Sequence, residues 1–560
     1  MVHTRLARTR RLATIGLSGA LVLSMAACAE SQRDQGGDTG GSGQVGGTLV
    51  IGAAGAPKNF DPIFNDDGES LRPAEQMYER LVAYKPGTTE LAPGLAERWE
   101  PSNEGKTWTF TLRKNVTFHD GTPFNAAAVC ANFDRWFNMK GAAAQSQMIY
   151  YADIFEGFAT NEGATGEPVY KNCEARDDST AVLNLTKSKG AFPAAFGLTS
   201  LSISSPTALR QFDADSVTQS GDSFTYSAYA NEHPTGTGAF KFESFDKANN
   251  LITLVRNDQY WGDKAKVDKL VFKVIPDESA RKEELRAGTI DGYDLPNPAD
   301  YGTLREAGKK VLIRPAFNVL YLGVNQSGNP ALKDLRVRQA LAYAINREQL
   351  VKNIMPEGAS VAKVAMPPGL AGYTDQVQEY PYDPAKARDL LAQAGVSNLT
   401  LKLYQPIDSR PYMPNPTGVA GAVANDLKQV GINIEIVALP FNGGFKDDVQ
   451  QSGKHDIHLL GWNGDYGDAG NFLGTFFARQ KTEFGFSEPA LFAQVAAADA
   501  TVDPAAHTAA YEQVNKDVMS KYLPAIPLSH APSAIVLGGN LTGFVPSPLT
   551  NERYSTVSKG

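Results

Sequence analysis

Apolar and polar residues alternate along Thr107–Leu112, TWTFTL, the two-residue period of a strand with one wet face. Thr48–Ile51, Leu251–Val255, Leu270–Ile275 and Ile432–Leu439 are runs rich in branched residues and also predict strands. Helical spacing appears at Asn125–Trp136 and at Leu335–Leu350, LRVRQALAYAINREQL. Asp383–Ala394 adds an Asp cap, Pro at the first helical position and a stop at Gly395. Strands and helices alternate throughout, and no period of 20–50 residues repeats, which predicts a mixed α/β fold rather than a solenoid.

At 560 residues the chain is too long for one hydrophobic core, so two or more lobes are expected. The net charge of −8, without a basic stripe beyond the first dozen residues, argues against nucleic acid as a partner.

The N-terminus reads as an address. Arg5, Arg8, Arg10 and Arg11 precede an apolar stretch, Leu12–Ala27, that is short for a membrane span of about 20 residues. Residues 1–27 are expected to be a signal peptide. Met25-Ala26-Ala27-Cys28 resembles a lipoprotein cleavage site, with Met25 where Leu is usual, and implies lipidation of Cys28. The alternative is a plain signal peptide cut elsewhere. Residues 28–47 are polar and Gly-rich, a flexible tether. Cys130 and Cys173 remain; in an exported protein they are expected to pair, the alternative being two separate buried thiols.

Catalytic signatures are missing: the sequence has no Gly-x-Ser-x-Gly elbow, no His-Glu-x-x-His pair and no phosphate loop. Thr235–Gly238 reads as a turn. His455 and His458 tempt as metal ligands, but strand alternation would put them on opposite faces, so solvated strand-edge residues and no metal site are expected. Leu459–Gly474, LLGWNGDYGDAGNFLG, sets two carboxylates, Asp465 and Asp468, among glycines and aromatics. It is either a turn held by Asx side chains or a binding loop.

Several segments, in order, resemble the family 5 extracytoplasmic solute-binding proteins of ABC importers. They are Tyr78–Glu100, Trp108–Arg113, Phe118–Gly121, Gly236–Gly238, Tyr260–Gly262, Leu285–Asp291, Asp334–Arg347 and Tyr382–Ala387. Met366–Gly369, Ser409–Asn415 and Gly461–Asp468 liken it most to dipeptide-binding members. The resemblance implies an α/β clamshell of the periplasmic-binding-protein type. Lobe one would be residues 45–315 plus 527–560, with an inserted subdomain at about 77–234; lobe two would be residues 316–526. The crossings are expected near Phe317–Asn325 and Leu523–Leu528.

It further implies that Asp465 receives a peptide's α-ammonium and Arg410 its carboxylate. Trp462, Tyr404 and Tyr412 are candidate pocket walls, each with a core reading beside it. Asn65–Gly68 and Asn318–Tyr321 would supply backbone contacts, which makes Gly68, Asn318 and Tyr321 site candidates. The expected protein is a monomeric, lipid-anchored receptor on the outer face of the cytoplasmic membrane. It would need no cofactor and would hand short peptides to a permease with ATPase subunits. Longer peptides, haem, a metal chelate or an oligosaccharide are alternatives within the family. A hydrolase using Asp465 and Asp468 is the alternative outside it.

Overall fold

The structure, a computed structural model, describes residues 46–162, 166–221 and 223–560. The expected signal peptide, Cys28 and the tether up to residue 45 lie outside the described residues. No helix among the described residues is long and apolar enough to cross a membrane.

Two large sheets anchor the two lobes of a clamshell. The first has seven strands in the order Phe240–Asp246, Leu251–Arg256, Lys269–Val274, Thr48–Ala53, Gly292–Asp294, Ala534–Leu537 and Lys310–Ile313. Thr48–Ala53 runs parallel to both of its neighbours, with Ile51 opposite Phe272 on one side and Gly292 on the other. The second has six strands: Ser360–Val361, Ala525–His530, Asn318–Val324, Ile457–Asn463, Thr400–Pro406 and Asn433–Leu439. Its core runs from Phe317 to Leu528 and includes Leu322, Leu341, Leu403 and Leu459.

Both expected crossings turn out to lie largely in strands of the six-stranded sheet. The chain leaves the first sheet at Ile313 and enters the second at Asn318; it returns between His530 and Ala534. Every residue of Asn318–Val324 and Ala525–His530 is buried, because these central strands are covered on both faces. Phe317–Asn325 and Leu523–Leu528 both mix apolar residues with Pro or Gly, a composition that suits a connector as well as a buried strand.

A third body carries a four-stranded antiparallel sheet, Ala96–Ser102, Thr107–Leu112, Thr180–Leu185 and Tyr170–Asp177. Its core is aromatic-rich, with Trp108, Phe110, Trp136, Tyr151 and Phe155 buried together. The expected alternation at Thr107–Leu112 is observed, with Trp108, Phe110 and Leu112 inward. Cys130, on helix Ala126–Phe137, is disulfide-bonded to Cys173 on strand Tyr170–Asp177, with 5.1 Å between their Cα atoms. Tyr466 and Val502, from the chain of the second lobe, pack against this same core.

The helix expected over Leu335–Leu350 is two helices, Leu335–Ala344 and Arg347–Ile354. Asn346 breaks it: its side chain accepts from the Gln349 amide and caps the second helix. Asp383 caps helix Pro384–Gln393 as expected, accepting from the Lys386 amide at 2.9 Å.

His455 and His458 depart from the sequence reading. Both are 0% exposed, and their rings meet edge to face at 4.7 Å between centroids. The strand starts only at Ile457, so His455 precedes it and alternation does not govern the pair. Burial holds both imidazoles below their ordinary pKa.

Candidate ligand cavity

Strand pairing builds the site. Asn318, the first residue of its strand, lies opposite Asn463, the last residue of strand Ile457–Asn463. The end of one strand, and the loop after it, are thereby set beside the point where the chain crosses between lobes. Gly464 follows immediately, and the Phe317 ring occupies the space a side chain there would need: a Cβ at this position would lie only 2.1 Å from a ring carbon. The Gly464 amide donates to the Phe317 carbonyl at 2.8 Å. This close approach turns the loop so that Asp465 faces a cavity of about 400 Å³.

Asp465 is fixed from both sides. Its amide donates to Asn471 Oδ1 at 2.7 Å, and Asn471 Nδ2 donates back to Asp465 Oδ2 at 3.2 Å. Tyr150, on helix Ile149–Phe155 of the third body, donates its hydroxyl to Asp465 Oδ1 at 2.8 Å. Asp465 has no cationic partner among the described residues. Burial pushes its carboxyl up to about 6, and the hydrogen bonds from Tyr150 and Asn471 only partly oppose this.

Asp468 does different work. Its Oδ1 accepts from the Gly470 amide at 2.7 Å, and its Oδ2 meets His507 Nε2 at 3.0 Å. It orders the loop and is not among the cavity-lining residues. The two aspartates therefore do not form a facing acid–base pair.

Of the residues singled out from sequence, Asp465, Gly68 and Asn318 line the cavity. Arg410 does not, although its chain neighbour Pro411 does. Its guanidinium lies over the Phe441 ring at 4.0 Å and makes no ion pair among the described residues. Reciprocal bonds between the backbones of Arg410 and Met413 pin the turn that carries it.

The four aromatics stand behind the wall. Trp462 is half-buried, with Nε1 3.4 Å from Asn471 Oδ1, so it supports the amide that holds Asp465. Tyr412 is buried with its ring against Gly461; Tyr404 is buried near His455. Tyr321 is buried too, its hydroxyl 3.4 Å from Glu483 Oε1. Along an extended strand, three residues carry Tyr321 roughly 10 Å beyond Asn318 and into the core.

Asn318 lines the cavity, but its side chain is committed elsewhere. Nδ2 donates to the Ala531 carbonyl at 2.6 Å and Oδ1 accepts from the Ala531 amide at 2.9 Å. One amide thus ties the two crossings together.

Other lining residues carried no sequence signal. Leu295 and Thr550 line the cavity with left-handed backbones, φ 54° and 55°, where few non-glycine residues sit. Arg72 donates to Glu69 at 3.0 Å and to Asp294 at 2.5 Å. Burial alone would raise Asp294, but Arg314 and Arg72 overrule it and hold this carboxyl below its ordinary value.

A two-lobe fold with a ligand-sized cavity at the crossings defines a solute-binding protein. The chain belongs to the bacterial extracellular solute-binding proteins, family 5: the family described as "Bacterial extracellular solute-binding proteins, family 5 Middle" matches residues 90–484. It is 32% identical to the dipeptide-binding protein of Escherichia coli over 525 residues, 91% of this chain and 94% of that one. It is 31% identical to heme-binding protein A of Haemophilus influenzae over 565 residues, 98% of each chain. Among solved structures, HbpA2 from Haemophilus parasuis superposes with a TM-score of 0.80 at 28% identity, covering 92% of this chain and 100% of that one. The periplasmic binding protein DppA from Helicobacter pylori, in complex with the peptide STSA, superposes with a TM-score of 0.70 at 27% identity, covering 92% and 98%.

Proposed function

We propose that this protein is the lipid-anchored receptor of an ABC importer. It captures short peptides, dipeptides above all, and delivers them to a membrane permease driven by ATPase subunits. One observation carries the reading: Asp465 presents a carboxylate to the cavity without a cation of its own among the described residues. An uncompensated carboxylate in a small enclosed space favours an ammonium group, and a peptide's N-terminus supplies one. The peptide's carboxylate goes to Arg410, whose guanidinium is free of ion pairs among the described residues and one residue from the cavity-lining Pro411. The planar fork of an arginine suits a carboxylate. Closure of the lobes is worth only the ligand's differential affinity for the closed form. The protein catalyses no covalent step. Cys28 is its anchor on the outer face of the cytoplasmic membrane.

Calorimetry with dipeptides, their N-acetylated forms and their C-amidated forms is the test. Free dipeptides bind, and blocking either end costs affinity. Equal binding of free and blocked peptides rules out recognition of both termini. The haem-binding relative makes haem the competing ligand, and haemin belongs in the same titrations.

A further inference from the structure

Most dipeptides have no net charge, yet the cavity has an excess of negative charge. Its wall carries the carboxylates of Asp66, Asp67, Glu69, Glu75, Asp294 and Asp465, and a single cationic side chain, Arg72. Cations that touch these carboxylates from outside the cavity cancel some of the charge but not all of it. Glu75 is fully matched by Arg80, whose Nη2 is 2.9 Å from Oε1. Asp66 and Asp67 share Lys58, which is paired with Asp66 and lies 3.6 Å from Asp67. Glu69, Asp294 and the adjoining Glu552 share Arg72 and Arg314. Matching each carboxylate to a contacting cation leaves three over: one of the Asp66 and Asp67 pair, one of the Glu69, Asp294 and Glu552 group, and Asp465.

The structure offers a plainer role for part of this charge. Asp67 caps helix Gly68–Met77, accepting from the Ser70 amide at 2.9 Å, and Glu69 is in its first turn. A helix N-terminus carries roughly half a positive charge, which offsets at most half of one carboxylate. It does not absorb the surplus. A peptide's α-ammonium answers Asp465 and leaves the rest. The same wall also holds Leu71 and Leu295, the latter 44% exposed, so aliphatic surface lies beside the acidic groups. Lysine and arginine side chains have that composition, a methylene stem with a cationic head.

We propose that the cavity selects peptides with a second positive charge, a lysine or arginine side chain whose head is received by Asp66, Asp67 and Glu69. The inference rests on the peptide-binding reading above and gives that site a ligand class. Long-range charge complementarity of this kind is screened by salt, so the preference is greatest at low ionic strength.

The test is calorimetry on the full-length chain with Ala-Ala, Lys-Ala, Ala-Lys and Glu-Ala, at low and at high salt. At low salt at least one lysine peptide binds about tenfold more tightly than Ala-Ala, equivalent to about 1.4 kcal/mol. Glu-Ala binds more weakly than Ala-Ala, and the differences shrink as salt is added. Asp66→Asn and Glu69→Gln, each at a partly exposed position, both reduce the ratio of lysine-peptide to Ala-Ala affinity. Equal affinities for Ala-Ala and both lysine peptides overturn the charge selection while leaving peptide binding intact. A ratio unmoved by both variants overturns the assigned residues. If none of the four peptides binds, the peptide reading itself falls, and this inference with it.

Discussion

The Tyr150 hydroxyl donates to Asp465 Oδ1 at 2.8 Å, joining residues 315 positions apart in sequence. Tyr150 belongs to the third body and Asp465 to the loop that follows the interior strand Ile457–Asn463 of the six-stranded sheet. The carboxylate proposed to take the ligand's ammonium is therefore also a contact between the two sides of the cleft. Asp465→Asn keeps the shape and removes the charge. Hydrogen bonds to charged groups are worth about 1.5–3 kcal/mol, so dipeptide affinity falls by roughly ten- to a hundredfold. Calorimetry reads this directly; an affinity within twofold of the wild type would remove Asp465 from the ammonium site.

The same carboxyl makes capture depend on pH. With its pKa at about 6, Asp465 is charged above that value and neutral below it, so affinity falls as pH drops through about 6. The hydrogen bond from Tyr150 favours the charged form. Tyr150→Phe therefore moves the midpoint of the binding profile to higher pH. Stability of the unliganded protein responds in the opposite sense. Between the ordinary 3.8 and about 6, the folded state holds a proton that the unfolded chain has released. The Asp465 contribution to stability therefore grows as pH falls through this window. His119 and His530, pressed by burial from 6.5 to about 4, act the other way and lose stability over a similar range. Subtracting the melting profile of Asp465→Asn from that of the wild type isolates the aspartate. The wild type should gain relative to the variant as pH falls from 6 towards 4.

Local patterns carried the elements whose determinants are local. Thr107–Leu112 alternates because one face packs on the aromatic core, and Asp383 with Pro384 marks a helix start through its own side-chain bond. The cavity's charged centre was legible for a similar reason, since Asp465 among glycines announces a polar group on a tightly turned backbone. Its partners were not legible. Tyr150 is in the third body, and nothing in Ile149–Phe155 says which loop it will face. The resemblance offered Tyr321 as a backbone contact and Tyr404 and Tyr412 as pocket walls or core aromatics; all three are buried and none lines the cavity, which follows from how far along their strands or turn they lie. His455 and His458 misled because a strand period was applied across a strand start: His458 is in the strand and His455 precedes it.

Asn318 bonds both backbone groups of Ala531 and so staples the two crossings where the lobes meet. Its loss leaves a buried amide and carbonyl unpaired, at a cost of about 1–3 kcal/mol each before water enters. Asn318→Ala lowers the melting temperature. It also loosens the geometry on which closure depends, so small-angle scattering with and without ligand should give a smaller change in radius than for the wild type.

Cys130–Cys173 closes a loop of sequence separation 43 and ties a helix to a sheet within the third body. By the chain-entropy argument, opening it costs about 4 kcal/mol. Cys130→Ser with Cys173→Ser, or reduction of the wild type, lowers the melting temperature. The disulfide lies in the body that supplies Tyr150, so ligand affinity should also weaken when that body loosens. Calorimetry below the melting range separates the two effects, and unchanged stability on reduction would contradict this assignment.

Arg314 occupies the point where the first crossing leaves the seven-stranded sheet. Its guanidinium reaches Asp294 Oδ1 at 2.6 Å and Glu552 Oε1 at 2.5 Å, and all three residues are buried. One cation thereby holds a cavity wall residue, the C-terminal tail and the crossing itself. Removing one member of a buried pair leaves a charge without compensation, which costs about 3–5 kcal/mol. Arg314→Met keeps much of the volume and removes the charge, so it should destabilise by that amount in denaturant unfolding. With Arg314 gone, Asp294 loses the stronger of the two cations holding its pKa down, and its burial then favours the protonated form. The variant's deficit should therefore narrow as pH falls, because the stranded carboxyl is neutralised by taking up a proton. Unfolding curves for both proteins at neutral and acidic pH decide this, and a deficit that is constant or widens with acid would show that Asp294 is not the group left exposed.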